Sequence, residues 1–313
     1  DQGVPVQPRR ESPADLGRPV LRGGGGGGGA TRGQRPRRTR AGPRGGAGPP
    51  RDAVAQVVRL LQDPLYRLAL RMVWRPAEAE DATQEILVRV LGHLHTWRAE
   101  AKLLTWAYRI GVNHLLNLRR QTPHEAAQLS LDAYRDGLAD GLSEADYRGP
   151  EAVLLTAEVR LTCSQGMLQC LARDERVAFV LGEVFELNST EAAWILDITP
   201  AAYRKRLERA KKRLGNFLNA TCGLVDPQAF CRCSRRVDAA LALGRVDPRR
   251  PVYARHPVSP GGRTADAAEQ QMVRLHDAAS VLRAHPDYAA PQAKMDAIAG
   301  LLGSGRFPLL DEK

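Results

Sequence analysis

Apolar positions recur at helical spacing in separated stretches of the chain, and strand-like alternation is absent, so the pattern predicts an all-α protein. The first stretch opens at Asp63, expected as an N-cap, with Pro64 at the first helical position and Leu65, Leu68, Ala69, Met72 and Val73 on one stripe. A second helix is expected from Pro76 to about Leu94, its early acids Glu78, Glu80 and Asp81 suiting the positive end of the helix dipole. A third runs from near Lys102 to Arg120. Residues 121–150 lose the period and gain Asp132, Asp136, Asp140, Glu144 and Asp146 among Gly137, Gly141, Gly149 and Pro150, the composition of a flexible acidic linker. Periodicity returns from Glu151 to about Leu218 as a second helical module. Beyond Cys222 lies a cysteine-bearing, Pro- and Arg-rich stretch, followed by helices expected around Ala265–Ala284 and Pro291–Leu302. The fold class is two small helical domains on a linker, with a partly helical C-terminal extension. Domain limits fall at 51–120, 121–150, 151–220 and 221–313.

The sharpest local pattern lies between Leu187 and Leu218. Asn188 followed by Glu191 forms a capping box for a short helix ending at Leu196, and Asp197-Ile198 makes a tight turn. Thr199 can cap a new helix that begins with Pro200, which yields a helix-turn-helix. On the second helix Tyr203, Leu207, Ala210, Leu214 and Phe217 form an apolar stripe, and Arg204, Lys205, Arg206, Arg209, Lys211, Lys212 and Arg213 occupy the rest. Such a helix fits the major groove, where arginines reach guanine edges and the other cations hold phosphates.

The third helix of the first module carries a different face. Trp106, Arg109, Asn113, Asn117 and Arg120 follow one another at helical offsets and share one side, while Leu104, Gly111, Leu115 and Leu118 share another. An indole, two amides and two guanidiniums on one stripe offer what unpaired bases require: a stacking surface, hydrogen bonds and phosphate neutralisation. A tryptophan at such a position also serves often as core.

Charge narrows the partners. The 313 residues hold 46 Lys and Arg against 35 Asp and Glu, a formal net charge of +11, which favours a polyanion. Residues 1–50 hold ten arginines against Asp1, Glu11 and Asp15, so the rest is only mildly basic. That arm contains a glycine run, Gly23–Gly29, and almost nothing apolar, so disorder is expected; no Gly-Lys-Ser/Thr follows the run, which removes the phosphate-loop alternative. The five cysteines are an odd number in a chain without a recognisable export signal, and reduced thiols in the cytoplasm are expected. Cys222, Cys231, Cys233 and His256 could in principle ligate a metal, but they lack the paired knuckle spacing of zinc sites, and neither a metal nor another cofactor is assigned.

These motifs resemble the extracytoplasmic-function sigma factors, over roughly Asp63 to Leu218. Ala79-Glu-Asp-Ala-Thr-Gln-Glu-Ile-Leu-Val-Arg89 is similar to that family's core-binding helix. Trp97-Arg98 through Thr105-Trp106-Ala-Tyr-Arg-Ile-Gly-Val-Asn113 is similar to its minus-ten segment, and Ala178 to Phe185 through the helix-turn-helix to its minus-thirty-five segment. The resemblance implies a non-enzymatic subunit that binds core RNA polymerase and promoter DNA, with an anti-sigma factor as a further partner class. It implies that Asp81, Gln84, Glu85, Ile86 and Arg89 face the polymerase. Lys102, Trp106, Arg109, Asn113, Asn117 and Arg120 would contact the opened strand; Thr199, Tyr203, Arg204, Lys205, Arg206, Arg209, Lys212 and Arg213 the upstream duplex. The linker would thread towards the RNA exit path. Two departures stand out: Ala99, Ala101, Lys102 and Leu103 replace the usual Gly, Ser and aromatic, and Asp197 replaces the usual turn glycine. The competing classes are a helix-turn-helix regulator that never joins polymerase, which has no use for the acidic helix or the Trp106 stripe, and a nucleic-acid hydrolase, for which no carboxylate and histidine cluster is evident.

Overall fold

Helix α1 (Arg51–Val73) runs through Asp63 and Pro64 without interruption, which corrects the expected start at Asp63. An internal proline forfeits one backbone hydrogen bond and costs about 3 kcal/mol. Here the stripe on both sides of it is buried: Val54, Val58 and Leu61 before, Leu65, Leu68 and Met72 after. Burial at roughly 1.5–3 kcal/mol per large apolar side chain outweighs that loss. Asp63, not needed as a cap, turns its carboxylate to accept from Ser259 Oγ at 2.6 Å and the Ala290 N–H at 2.9 Å.

The computed structural model describes residues 51–118, 130–275, 278–293, 296–297 and 300. The glycine- and arginine-rich arm, Arg120 and most of the helix expected at Pro291–Leu302 lie outside them. Helices α2 (Pro76–Gly92) and α3 (Leu103–Asn117) close a three-helix unit on α1. Leu65, Leu68, Ile86, Leu87, Val112 and Leu115 fill its centre. Gly111 lies at the crossing, where a Cβ would meet Leu65, Leu68 and Ile86 at an ordinary contact distance of 3.4 Å.

From Ser130 onwards, the expected linker is more ordered than its composition suggests. Ser130 caps α4 (Leu131–Ala139) by accepting from the Ala133 N–H, and Leu138 is buried. Tyr134 donates to the Cys163 carbonyl at 3.1 Å on α5 (Ala152–Gln169). The acids spread along this segment mask the apolar anchors Tyr134 and Leu138, which is why its periodicity is weak. Helix α6 (Arg173–Phe179) widens into a π turn at Val180–Val184, and α7 (Ser189–Leu196) and α8 (Pro200–Thr221) form the helix-turn-helix. Gly182 sits where α8 crosses that turn; a Cβ there would lie 2.4 Å from the Tyr203 hydroxyl.

The C-terminal extension packs on both units. After an isolated pairing of Cys222 with Cys231 come α9 (Val237–Ala242), α10 (Ala265–Leu275) and α11 (Ala278–Arg283). Met272 and Leu282 of the expected stripe are buried. Glu158 on α5 is fully buried, and its carboxylate accepts the backbone N–H groups of Val252, Tyr253 and Ala254 at 2.7–3.1 Å. Among the described residues no helix is long and apolar enough to cross a membrane.

His285 of the extension is buried with Nε2 2.6 Å from Ser164 Oγ. Burial, reinforced by Arg71 and Arg263, holds its pKa well below the usual histidine value. The unfolded chain takes up this proton near pH 6.5 and the folded chain resists it, so stability is full above about pH 7 and falls as the pH drops through 6.5. His114 and His256, also lowered chiefly by burial, act in the same direction. The thermal midpoint is expected to decline between pH 7 and 5 in scanning calorimetry, and less steeply in His285→Gln; equal slopes would remove His285 from the cause.

Candidate nucleic-acid interface

The helix-turn-helix is built by local chemistry. Asn188 Oδ1 accepts from the N–H groups of Thr190 and Glu191, and its Nδ2 donates to the Glu191 carboxylate at 2.8 Å. Asp197 ends α7 in the left-handed conformation, at φ 55° and ψ 44°, which aspartate tolerates better than most residues. Thr199 Oγ1 then accepts from the Ala202 N–H and starts α8 with Pro200 in its first turn. A β-branched residue at 197 would meet the left-handed strain directly. Asp197→Val is expected to lower stability by about 1–2 kcal/mol in urea titration, whereas Asp197→Gly should stay within about 1 kcal/mol.

The cations of α8 divide into two sets. Arg206 pairs with Asp174 at 3.3 Å, Arg209 and Arg213 both reach Glu175 at 3.3 and 2.8 Å, and Lys211 meets Glu183 at 2.8 Å. Arg204, Lys205 and Lys212 are exposed and, among the described residues, stand outside every ion pair; Thr199 is exposed at the helix start. Tyr203 requires a correction: it is 1% exposed and donates its hydroxyl to the Ala178 carbonyl, so it packs α8 and cannot reach a duplex. The acids that bind the first set were not apparent from sequence, because Glu175 lies 34 residues before Arg209 and Asp174-Glu175 resemble ordinary first-turn acids.

On α3, Lys102, Asn113 and Asn117 are exposed and Trp106 and Arg109 half-buried. With Glu85 and Arg89 of α2, Trp106, Arg109, Asn113 and Asn117 border an open cleft of about 590 Å³. His114, not anticipated from sequence, also lines it, with a buried Nε2 that has no hydrogen-bond partner among the described residues. The Glu85 carboxylate lies 3.6 Å away, too far for a hydrogen bond, and burial lowers the His114 pKa, so the ring is neutral at pH 7. Asp81, Glu85 and Arg89 are exposed on α2 and Gln84 half-buried. Ile86 is corrected to a core residue: it is 0% exposed and packs against α1 and α3 instead of facing outward.

Arg109 is held by the other module. Its Nη1 donates to the Trp194 carbonyl at 3.0 Å, its Nη2 to the Asp197 carboxylate at 2.8 Å, and its guanidinium lies 4.8 Å from the Trp194 ring centroid. Tyr108 stacks on Phe185 beside it, centroids 5.3 Å apart.

The four weak metal candidates do not form one set. His256 stacks on Tyr66 and hydrogen-bonds the Ala289 carbonyl. Cys222, Cys231 and Cys233 lie beside Cys163 of α5, all free thiols; burial raises the pKa values of all four, to about 12 for Cys231, and neighbouring thiols add to this for Cys163, Cys222 and Cys231 while Arg160 opposes it at Cys233. Among the described residues no group of three or more potential ligands is arranged to hold a metal.

Residues 57–123 match the family model for Sigma-70 region 2, and residues 163–214 that for Sigma-70, region 4. The chain is 29% identical over 170 residues to the ECF RNA polymerase sigma factor SigW of Bacillus subtilis, covering 52% of this chain and 87% of that protein. It is 29% identical over 193 residues to the ECF RNA polymerase sigma factor SigJ of Mycobacterium tuberculosis, covering 60% and 58%. The sigma factor RpoE of Bartonella quintana, solved in complex with the anti-sigma factor NepR, superposes with a TM-score of 0.38 at 20% identity, over 54% of this chain and 98% of that one. With the two regions matched in order and a helix-turn-helix inside the second, the chain belongs to the extracytoplasmic-function sigma factors of the sigma-70 family, non-enzymatic subunits that bind core RNA polymerase and direct it to promoters, and it carries further C-terminal residues beyond the aligned part.

Proposed function

We propose that residues 51–120 act as region 2 and residues 151–220 as region 4, each with a defined contact surface, in the cytoplasm where polymerase works. Asp81, Gln84, Glu85 and Arg89 face the polymerase: an acidic and amide-bearing helix face complements a basic partner and sets its orientation. Lys102, Trp106, Arg109, Asn113, Asn117 and Arg120 hold the opened minus-ten strand, the indole stacking on a base, the amides bonding base edges and the cations neutralising phosphates. Thr199, Arg204, Lys205 and Lys212 meet the minus-thirty-five duplex, with Arg206, Arg209 and Arg213 joining once their acidic partners yield. Residues 121–150 connect the two along the RNA exit path.

The observation that carries this is the 590 Å³ cleft, open to solvent and bordered by Trp106, Asn113 and Asn117 on one side and by Glu85 and Arg89 on the other. A base captured there lies directly beside the surface that holds the enzyme, so strand capture and polymerase docking share one rigid unit. Asp81→Arg with Glu85→Arg is expected to weaken core binding about tenfold or more, which corresponds to roughly 1.4 kcal/mol, with unchanged circular dichroism. Undiminished retention of core polymerase in a quantitative pull-down would overturn the assignment of α2.

A further inference from the structure

The names of the two promoter elements put them about 25 base pairs apart, which in B-form duplex is roughly 85 Å. In this structure the helix assigned to the first and the turn preceding the helix assigned to the second touch: Arg109 and Asp197 are 2.8 Å apart. One conformation cannot serve both elements at once. The arrangement described here is therefore a closed one, in which Arg109 of the strand-binding face is spent on the helix-turn-helix.

The halves also touch directly, as where Arg71 donates to Gln165 at 2.8 Å, and the extension fastens them a second time. From the region 2 side it takes Asp63, which accepts from Ser259 and Ala290, and the Trp74 carbonyl, which accepts from the Tyr253 hydroxyl. From the region 4 side it takes Glu158, whose carboxylate binds three successive amides ending at Ala254. Arg283 adds a third fastening, donating to the Glu183 carbonyl at 2.7 Å and pairing with Glu186 at 3.0 Å, at the π turn that leads into the helix-turn-helix. Residues 252–290 thus bridge α1 to α5 and to the π turn, and the modules cannot separate while all these contacts persist.

We infer that the C-terminal extension is an intramolecular clasp that holds regions 2 and 4 against each other and must release α1 or α5 before the chain can occupy both promoter elements. The inference rests on the proposed DNA-facing surfaces, and its test separates the two. In D63C/S259C, whose parent side chains are in contact, a bis-methanethiosulfonate reagent joins the two thiols through disulfides, releasing a sulfinate at each, and dithiothreitol cleaves the link; the clasp is thereby fixed to α1 without removing any core packing. A second variant, D63A/R283A, loosens it; non-natural fluorescent residues at the exposed positions Leu60 and Asn216 report module separation. The template is a promoter selected by the wild-type holoenzyme from a random-sequence pool.

Fixing the clasp is expected to lower promoter-specific initiation with core polymerase at least tenfold, with recovery when the reagent is cleaved. D63A/R283A as free chain is expected to show a widened separation and about tenfold tighter binding to the selected duplex. Equal initiation by the cross-linked and cleaved forms, or widened separation with no gain in affinity, would overturn the clasp. Failure of the uncross-linked wild type to initiate at any selected template would instead count against the DNA-facing surfaces themselves.

Discussion

Replacing Glu158 with alanine is expected to cost the full chain about 3–5 kcal/mol of unfolding free energy, the largest loss from any single substitution considered. The carboxylate is fully buried and accepts the N–H groups of residues 252–254. Alanine leaves those donors facing a cavity, and each orphaned buried amide costs about 1–3 kcal/mol. Val252 is partly exposed, so water can satisfy its N–H and the total stays below three full penalties. Glu158→Gln keeps one acceptor oxygen but turns an NH2 group towards a donor, and about half the loss is expected. Guanidinium titration checks both, with hydrogen exchange at residues 252–254 locating the damage. A loss under about 1 kcal/mol for the alanine variant would mean that the extension is not anchored through this carboxylate.

What could be read from sequence was whatever is decided within one or two helical turns. Asn188, Glu191, Asp197, Thr199 and Pro200 each act within four residues of themselves, so their identities specify the helix-turn-helix almost completely. The exposed amides of α3 follow from periodicity in the same way. Pro64 misled because a proline fits a helix start as well as it can be tolerated inside, and only burial of Val54, Val58 and Leu61 against the other helices decides between the two. Tyr203 and Ile86 were ambiguous for a related reason: each belongs to a stripe that packs, and each also occupies a motif position that can face a partner. The extension was least legible. Its contacts join Asp63 to Ser259 and Glu158 to Ala254, pairs separated by 196 and 96 residues, and no local pattern encodes partners so distant.

Arg204→Ala with Lys205→Ala is expected to weaken holoenzyme binding to the minus-thirty-five duplex about a hundredfold, while the equivalent change at Arg209 and Arg213 acts first on stability. The difference comes from their partners. Arg204 and Lys205 occupy the first turns of α8 with exposed side chains and, among the described residues, no ion pair, so they lose nothing by meeting DNA. Contacts to base edges contribute about 1–3 kcal/mol each, and two of modest size account for the hundredfold. If both neutralise phosphates as well, the slope of log affinity against log salt should shrink by close to two, at about 0.9 per contact. Arg209 and Arg213 instead hold the Glu175 carboxylate, whose side chain is only 10% exposed, and removing them leaves that charge poorly solvated between α6 and α8. Their loss should lower the thermal midpoint before it changes the salt slope, because DNA must compete with Glu175 for them. A salt titration of both double variants, paired with melting curves, distinguishes the two sets. An unchanged slope for the Arg204 and Lys205 variant would show that the amino-terminal turns of α8 do not lie on the duplex.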